Sequence, residues 1–245
     1  MEDVARLLEN AARLAGEKGL TRFTRFLDPA EAAQGEALAR TYGAAFSSFG
    51  GYDRSERCIG CFHPQEAGVA HDAYPIVCLH SRYASRFCSV SHRDLLGAFM
   101  ALGLTRACIG DMIISGEDIY LFAHDTTADF IAQQMTSAGK ASLHFRVLDA
   151  PPPMPDPEGV TFSAVVSSLR LDAVLASAYR LSRSEAQEAV RAGLVKVNHL
   201  VCERVDAVLA QDALLSLRGR GRVRLVSIDG TTRKQRIGIT FFRYG

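Results

Sequence analysis

The segment "SRSEAQEAVRAGLVKVN", Ser182 to Asn198, gathers side chains suited to holding an anion. Ser182 and Glu185 stand in the Ser-x-x-Glu relation of a capping box, which starts a helix there and turns its first amide groups outward. Such a helix tip carries partial positive charge and unpaired N–H donors, a setting that suits phosphate. Arg183 and Ser184 fall in the first turn and add a guanidinium fork and a hydroxyl. Gly193 stops the helix, and the alternation in "LVKVN" sends Lys196 and Asn198 one way and Val195 and Val197 the other. The expectation is one surface holding Arg183, Ser184, Lys196 and Asn198, with Arg170 at the start of the preceding helix as a neighbour. Helix ends are also capped for stability alone, and spacing by itself leaves both readings open.

A second basic set lies in "LRGRGRVRL", where Arg218, Arg220, Arg222 and Arg224 alternate and would share one face of an extended chain. Four guanidinium groups in a row repel one another unless a polyanion neutralises them, and an RNA so bound would be released by salt. Arg233, Lys234 and Arg236 prolong the charge beyond the "DGTT" turn. A solvated edge strand is the bland alternative, since charge on an edge also prevents aggregation.

Two further constellations invite chemistry. "HRDLL" at His92 has the letters of a kinase catalytic loop, but Phe99 stands where a metal-binding Asn is required, and there is no Gly-rich phosphate loop or Asp-Phe-Gly. His92-Arg93-Asp94 reads instead as the opening of a helix. "CIGC" gives Cys58 and Cys61 the spacing of zinc ligands, with His63, His71 and Cys78 near in sequence. A lone Cys-x-x-Cys is a weak signal, so no metal or other cofactor is expected.

The elements that must position these residues divide the chain. "DAPPPMPDPEG", Asp149 to Gly159, holds five prolines and forbids regular helix, which marks a boundary. Charge changes sign near it: residues 1–160 carry 14 Lys+Arg against 20 Asp+Glu, residues 161–245 carry 14 against 7. The net +1 therefore conceals an acidic body joined to a basic module. Residues 1–73 read as an α+β region with helices at Val4–Lys18 and Ala30–Tyr42, the second capped by Asp28 with Pro29 at its first position. Residues 74–150 follow a βαββαβ order, the ferredoxin-like arrangement of many RNA-binding sheets, with a second helix closed by Gly139 and a last strand in "KASLHFRVLD". Tyr120, Phe122 and Phe145 could stack on bases there, though strand aromatics more often pack a core. After a linker at 151–160, residues 161–245 read as two small helices on a β unit, so the whole is an α+β chain. The acidic start lacks a signal peptide, no apolar run reaches membrane length, and the six cysteines show no regular spacing; the expectation is a cytoplasmic protein, away from membranes, with reduced thiols.

"RLDAVLASAYRLSRSEAQEAVRAGLVKVN" resembles the alpha-L RNA-binding domain of the ribosomal protein S-four type: Arg-Leu-Asp, then Ser-Arg, then Gly-x-Val-x-Val-Asn. "RFTRFLDPAE", "FGGYDRSER" and "HRDLLGAFMALGLTRACIGDMII" are similar to the YlmH-type proteins of bacteria, and that resemblance spans nearly the full length. It implies a non-enzymatic RNA-binding protein at the large ribosomal subunit, engaging tRNA and rRNA in rescue of stalled peptidyl-tRNA complexes, with a link to cell division; the oligomeric state is left open by the sequence, a monomer being the expectation. It implies RNA contact by Arg170, Asp172, Arg183, Ser184, Lys196 and Asn198, Asp172 serving to orient an arginine. The sequence departs from the alpha-L pattern in placing His199 where Gly usually follows Val-Asn, and Gln211-Asp212 where Gly-Asp is usual. The alternatives are an RNA-modifying enzyme of the pseudouridine synthase kind, whose catalytic Asp loop has no match in residues 1–150, and an adaptor for division proteins.

Overall fold

The computed structural model describes residues 4–231 and 236–245; Arg233 and Lys234 lie outside them. The chain forms two compact units, Met1–Pro155 and Asp156–Gly245.

In the first unit, α1 (Val4–Lys18) buries Leu8, Ala12 and Ala15, an i, i+4, i+7 stripe. It is followed by β1 (Arg22–Leu27), α2 (Pro29–Thr41), β2 (Ala45–Phe49) and β3 (Cys58–His63). Asp28 accepts from the Glu31 amide and Glu31 accepts from the Asp28 amide, each at 2.9 Å, so a full capping box opens α2. The three strands form an antiparallel sheet in the order β1-β3-β2. Then come β4 (Ile76–Arg82), α3 (His92–Ala101), β5 (Ile109–Ser115), β6 (Asp118–His124), α4 (Asp125–Gln134), a small ribbon of β7 (Ser137–Ala138) and β8 (Ala141–Ser142), and β9 (Arg146–Leu148). The sheet order β5-β6-β4-β9, antiparallel throughout, together with the βαββαβ connectivity is the ferredoxin-like arrangement.

Two local expectations are corrected. Gly139 does not close α4, which ends at Gln134; it takes φ +58° in the turn of the β7–β8 ribbon. The last strand is correspondingly short, because only Arg146–Leu148 pairs with β4.

Helices α3 and α4 cover one face of the ferredoxin-like sheet through Leu79, Leu95, Phe99, Leu121 and Ile131. The other face packs against the first sheet, where Phe26, Ile59 and Cys61 meet Cys78 and Phe122. Phe122 is fully buried and Phe145 nearly so, which leaves only Tyr120 half-exposed, stacked on His80 at 5.1 Å. Asp111 ties the two sheets together. Its carboxylate accepts from the Tyr52 hydroxyl (2.9 Å) and the amides of Glu56 (2.7 Å) and Arg57 (3.1 Å). The Arg57 guanidinium in turn donates to the carbonyls of Phe26, Arg106 and Ile109.

The second unit runs β10 (Gly159–Val166), α5 (Leu171–Tyr179), α6 (Arg183–Arg191), β11 (Val195–Val197), β12 (Leu200–Val201), β13 (Leu214–Leu217), β14 (Gly221–Thr231) and β15 (Ile237–Tyr244). Its six strands lie in the order β10-β15-β14-β13-β11-β12. Val195, Leu215, Val223, Leu225, Ile239 and Phe241 form the inner face, on which Val174, Leu175, Ala178, Ala186 and Val190 of the helices pack. Tyr179 fastens helix to sheet by donating its hydroxyl toward the carbonyls of Leu215 (3.1 Å) and Gly221 (3.0 Å).

Candidate nucleic-acid interface

The α6 tip forms as its sequence requires: Ser182 accepts from the Glu185 amide (3.2 Å), and Glu185 accepts from the Ser182 amide (2.7 Å). Immediately beside it lies Asp172, in the first turn of α5 and wholly inaccessible to solvent. Its carboxylate accepts from Arg170 Nε (3.2 Å), Arg183 Nε (3.1 Å), Arg183 Nη2 (3.2 Å) and Gln187 Nε2 (2.8 Å). Burial alone would raise the Asp172 pKa; the donors from Arg170, Gln187 and Arg183 outweigh it and hold the carboxyl well below the usual carboxylate range. The Arg170 and Arg183 side chains remain 41% and 50% exposed, so one carboxylate fixes two guanidinium groups whose outer edges reach solvent. The cluster keeps a net positive charge with its donors already oriented. Ser184 is exposed on the same tip.

Lys196 does not join them. On β11 it pairs with Ser216 of β13, which pairs with Arg222 of β14, and directly paired residues share a sheet face. Val195 and Val197 occupy the inner face under the helices, so Lys196, Ser216 and Arg222 project from the opposite side. The single surface expected for Arg183 and Lys196 is therefore corrected to two, one on the helix layer and one on the outer sheet face. Asn198 joins neither. It takes φ +47° and His199 φ +70° in the tight turn between β11 and β12, and the Asn198 side-chain oxygen accepts from the Leu214 amide at 2.8 Å.

The arginine row is likewise divided. Arg218 and Arg220 lie in the β13–β14 turn, which Gly219 and Gly221 make possible at φ +79° and +80°; Arg220 reaches back to the Tyr179 carbonyl at the end of α5 (3.4 Å). Arg222 and Arg224 are in the strand and do share a face. Arg222 sits 4.9 Å over the Tyr244 ring, while Arg224 Nε donates to the Tyr244 hydroxyl (2.9 Å). Phe242 meets Tyr244 edge-on at 5.0 Å. The outer face thus interleaves cations with aromatic rings, the combination that meets phosphates and bases together.

Gln187, Phe242 and Tyr244 were not singled out from sequence. Gln187 is four residues beyond Arg183, the spacing that shares a helix face. Phe242 and Tyr244 alternate with the inward Phe241 and Arg243, a period-2 signal blurred because the adjacent Phe241 and Phe242 are both aromatic and take opposite faces.

The other constellations are structural. In "HRDLL", Asp94 accepts from the Ser91 amide (2.9 Å) and Ser91 from the Asp94 amide (3.2 Å), a capping box at α3. Cys58 and Cys61 lie three apart in β3 and so point to opposite faces. Among the described residues no group of three or more His, Cys, Asp or Glu side chains could hold a metal ion, and no helix is long and apolar enough to cross a membrane.

Two family models match the chain. "Putative RNA-binding domain in YlmH" covers residues 70–150, and "S4 domain" covers residues 169–211. The chain is 40% identical over 237 residues to the Ribosome-associated protein quality control protein P2 of Bacillus subtilis (strain 168), spanning 94% of this chain and 90% of that one. In fold it is similar to the Cell division protein ylmH from Streptococcus pneumoniae, with a TM-score of 0.51 over 59% of this chain and 88% of that chain at 19% identity.

Proposed function

The chain belongs to the YlmH family, and on that premise we propose that it binds structured RNA, tRNA and rRNA, at the large ribosomal subunit during rescue of stalled peptidyl-tRNA complexes. The observation that carries the reading is the Asp172 cluster, in which two half-exposed guanidinium groups are held ready for phosphate inside the matched S4 segment. Arg170, Arg183 and Ser184 take the phosphates on the helix side. Lys196, Arg222 and Arg224 take those on the outer sheet face, with Arg218 and Arg220 at its turn, while Asp172 and Asn198 shape the surfaces from within. The protein works in the cytoplasm and does no chemistry of its own: it is an adaptor whose selectivity comes from where its cations stand.

Crosslinking in cells tests this. Reads are expected on tRNA and on large-subunit rRNA; reads spread over messenger RNA would overturn it. The pseudouridine synthase alternative predicts pseudouridine formation on bulk tRNA and rRNA incubated with the protein, and no formation is expected.

A further inference from the structure

In ferredoxin-like RNA-binding domains, aromatic residues on the sheet face stack on bases. That face is largely closed here. Phe122 is buried against the first sheet, and Tyr120 is stacked on His80, which is itself bonded to Asp118 at 2.7 Å, so a phosphate arriving there would meet a carboxylate. An aromatic ring is presented elsewhere in the segment matched at residues 70–150, in the β4–α3 loop from Tyr83 to Ser91. Phe87 of that loop is 87% exposed, more than any other large apolar side chain among the described residues. The loop holds it there. The Phe87 amide donates to the Ala84 carbonyl at 3.1 Å and the Tyr83 amide to the Glu117 carbonyl at 3.0 Å, while Tyr83, Cys88 and Val90 pack into the core on the helix side of the sheet. The turn is anchored before and after the ring, and the ring alone is left in solvent.

The chain around the ring is cationic and polar. Residues 83–93 contain Arg86 and Arg93 and no Asp or Glu. The carboxylates that approach the loop are already engaged: Glu117 accepts from Arg82 (3.0 Å) and Ser85 (2.8 Å), and Asp94 accepts from the Ser91 hydroxyl (2.6 Å) and amide (2.9 Å) to cap α3. Those two bonds from Ser91, ahead of the neighbouring Arg93 charge, hold the Asp94 carboxyl below its ordinary range. Arg86 and Arg93 are exposed, and neither takes part in a hydrogen bond or ion pair among the described residues. The exposed chain neighbours of Phe87 are Ala84, Ser85, Arg86 and Ser89, so the loop adds no second large apolar side chain, as a protein-binding patch would require. A lone ring flanked along the chain by free cations suits a base on the ring and phosphates on the guanidinium groups. The base must be unpaired to offer its face. We propose that the β4–α3 loop is a separate RNA contact of this chain, with Phe87 stacking on an unpaired base and Arg86 and Arg93 meeting the phosphates beside it. This rests on the RNA-binding reading above and assigns the first unit its part in it.

Binding of the full-length protein to purified bacterial large ribosomal subunits, followed by fluorescence anisotropy across a salt series, tests this. Phe87→Ala should weaken binding roughly tenfold, the scale of one stacked base, without changing the salt slope, and Phe87→Tyr should keep wild-type affinity. Arg86→Ala combined with Arg93→Ala should lower the slope of log affinity against log salt by about 1.4 to 1.8. All three side chains are exposed, so the melting temperature should not move in any of these variants. A photoreactive phenylalanine analogue in place of Phe87 identifies the occupant: the captured species should be degraded by nuclease, and capture of a ribosomal protein instead overturns the RNA assignment. Wild-type affinity in Phe87→Ala overturns the loop contact and leaves the surfaces of the second unit standing. Failure of the wild type to bind the subunits overturns both.

Discussion

A buried carboxylate between two half-exposed arginines makes opposite predictions under two physical models. If RNA affinity follows net charge, Asp172→Asn should tighten binding, because one negative charge is lost. If orientation governs, the same change should weaken it several-fold, since Arg170 and Arg183 lose the acceptor that aligns them. Weakening is expected, read by anisotropy at two salt concentrations, and tighter binding would refute the orientation model. The substitution should also lower the stability of the second unit by about 1–3 kcal/mol, the cost of impairing hydrogen bonds to a buried charge. The pH dependence follows from the depressed pKa of Asp172 in the folded state. Its stabilisation is fully present above the unfolded value near 4 and is lost as pH falls through the lower folded value. Thermal melts from pH 5 to 8 should therefore show no pH dependence from this group, and a loss confined to stronger acid should be absent in Asp172→Asn.

The elements show which signals survive translation into three dimensions. The cap at Asp28 and the capping box at Ser182 were legible because a cap is a local contract among four residues; the box that Ser91 forms with Asp94 at α3 was not read. The alternation of Arg218 to Arg224 was legible only in half. Period 2 assigns faces inside a strand, but two glycines at positive φ turn the chain between Leu217 and Arg222 and break the row. The relation of Arg183 to Lys196 was not legible, because it depends on which side of the sheet the helices choose. The strands β1 to β3 were hidden by glycines and by a run, Cys58 to His63, buried on both sides and so without alternation. His199 marks a departure from the usual alpha-L glycine that the turn tolerates at φ +70°. Left-handed backbone costs a residue with a side chain about 1 kcal/mol, so His199→Gly should raise the melting temperature of the second unit by a few degrees. Asn198→Ala should lower it, since the Leu214 amide loses its acceptor. The reverse order of the two melts would refute this account of the turn.

For the molecule as a whole, the consequence of two cationic surfaces is that their contributions should separate. Arg183→Ala and the pair Arg222→Ala with Arg224→Ala act on opposite sides of the second unit's sheet. Removing a cation that meets one phosphate lowers the slope of log affinity against log salt by about 0.7 to 0.9. The combined variant should show the sum of the two reductions. A combined effect no larger than either alone would mean that only one face meets RNA. The charge asymmetry along the chain already pointed to the second unit as the polyanion-binding half. The covering of the ferredoxin-like sheet by a second sheet could not be read from it, since burial of Phe122 depends on residues some sixty to a hundred positions earlier, Phe26 and Ile59 among them.

That shared core between the two sheets also contains a natural chemical reporter. Cys61 and Cys78 are buried there, and burial pushes their thiols up to about 11, so they are protonated and unreactive at neutral pH. Cys88, Cys108 and Cys202 are only partly covered. Alkylation of the native protein should thus run in two kinetic classes. The slow one times the parting of the sheets, a breathing motion that can be followed residue by residue without introducing a label.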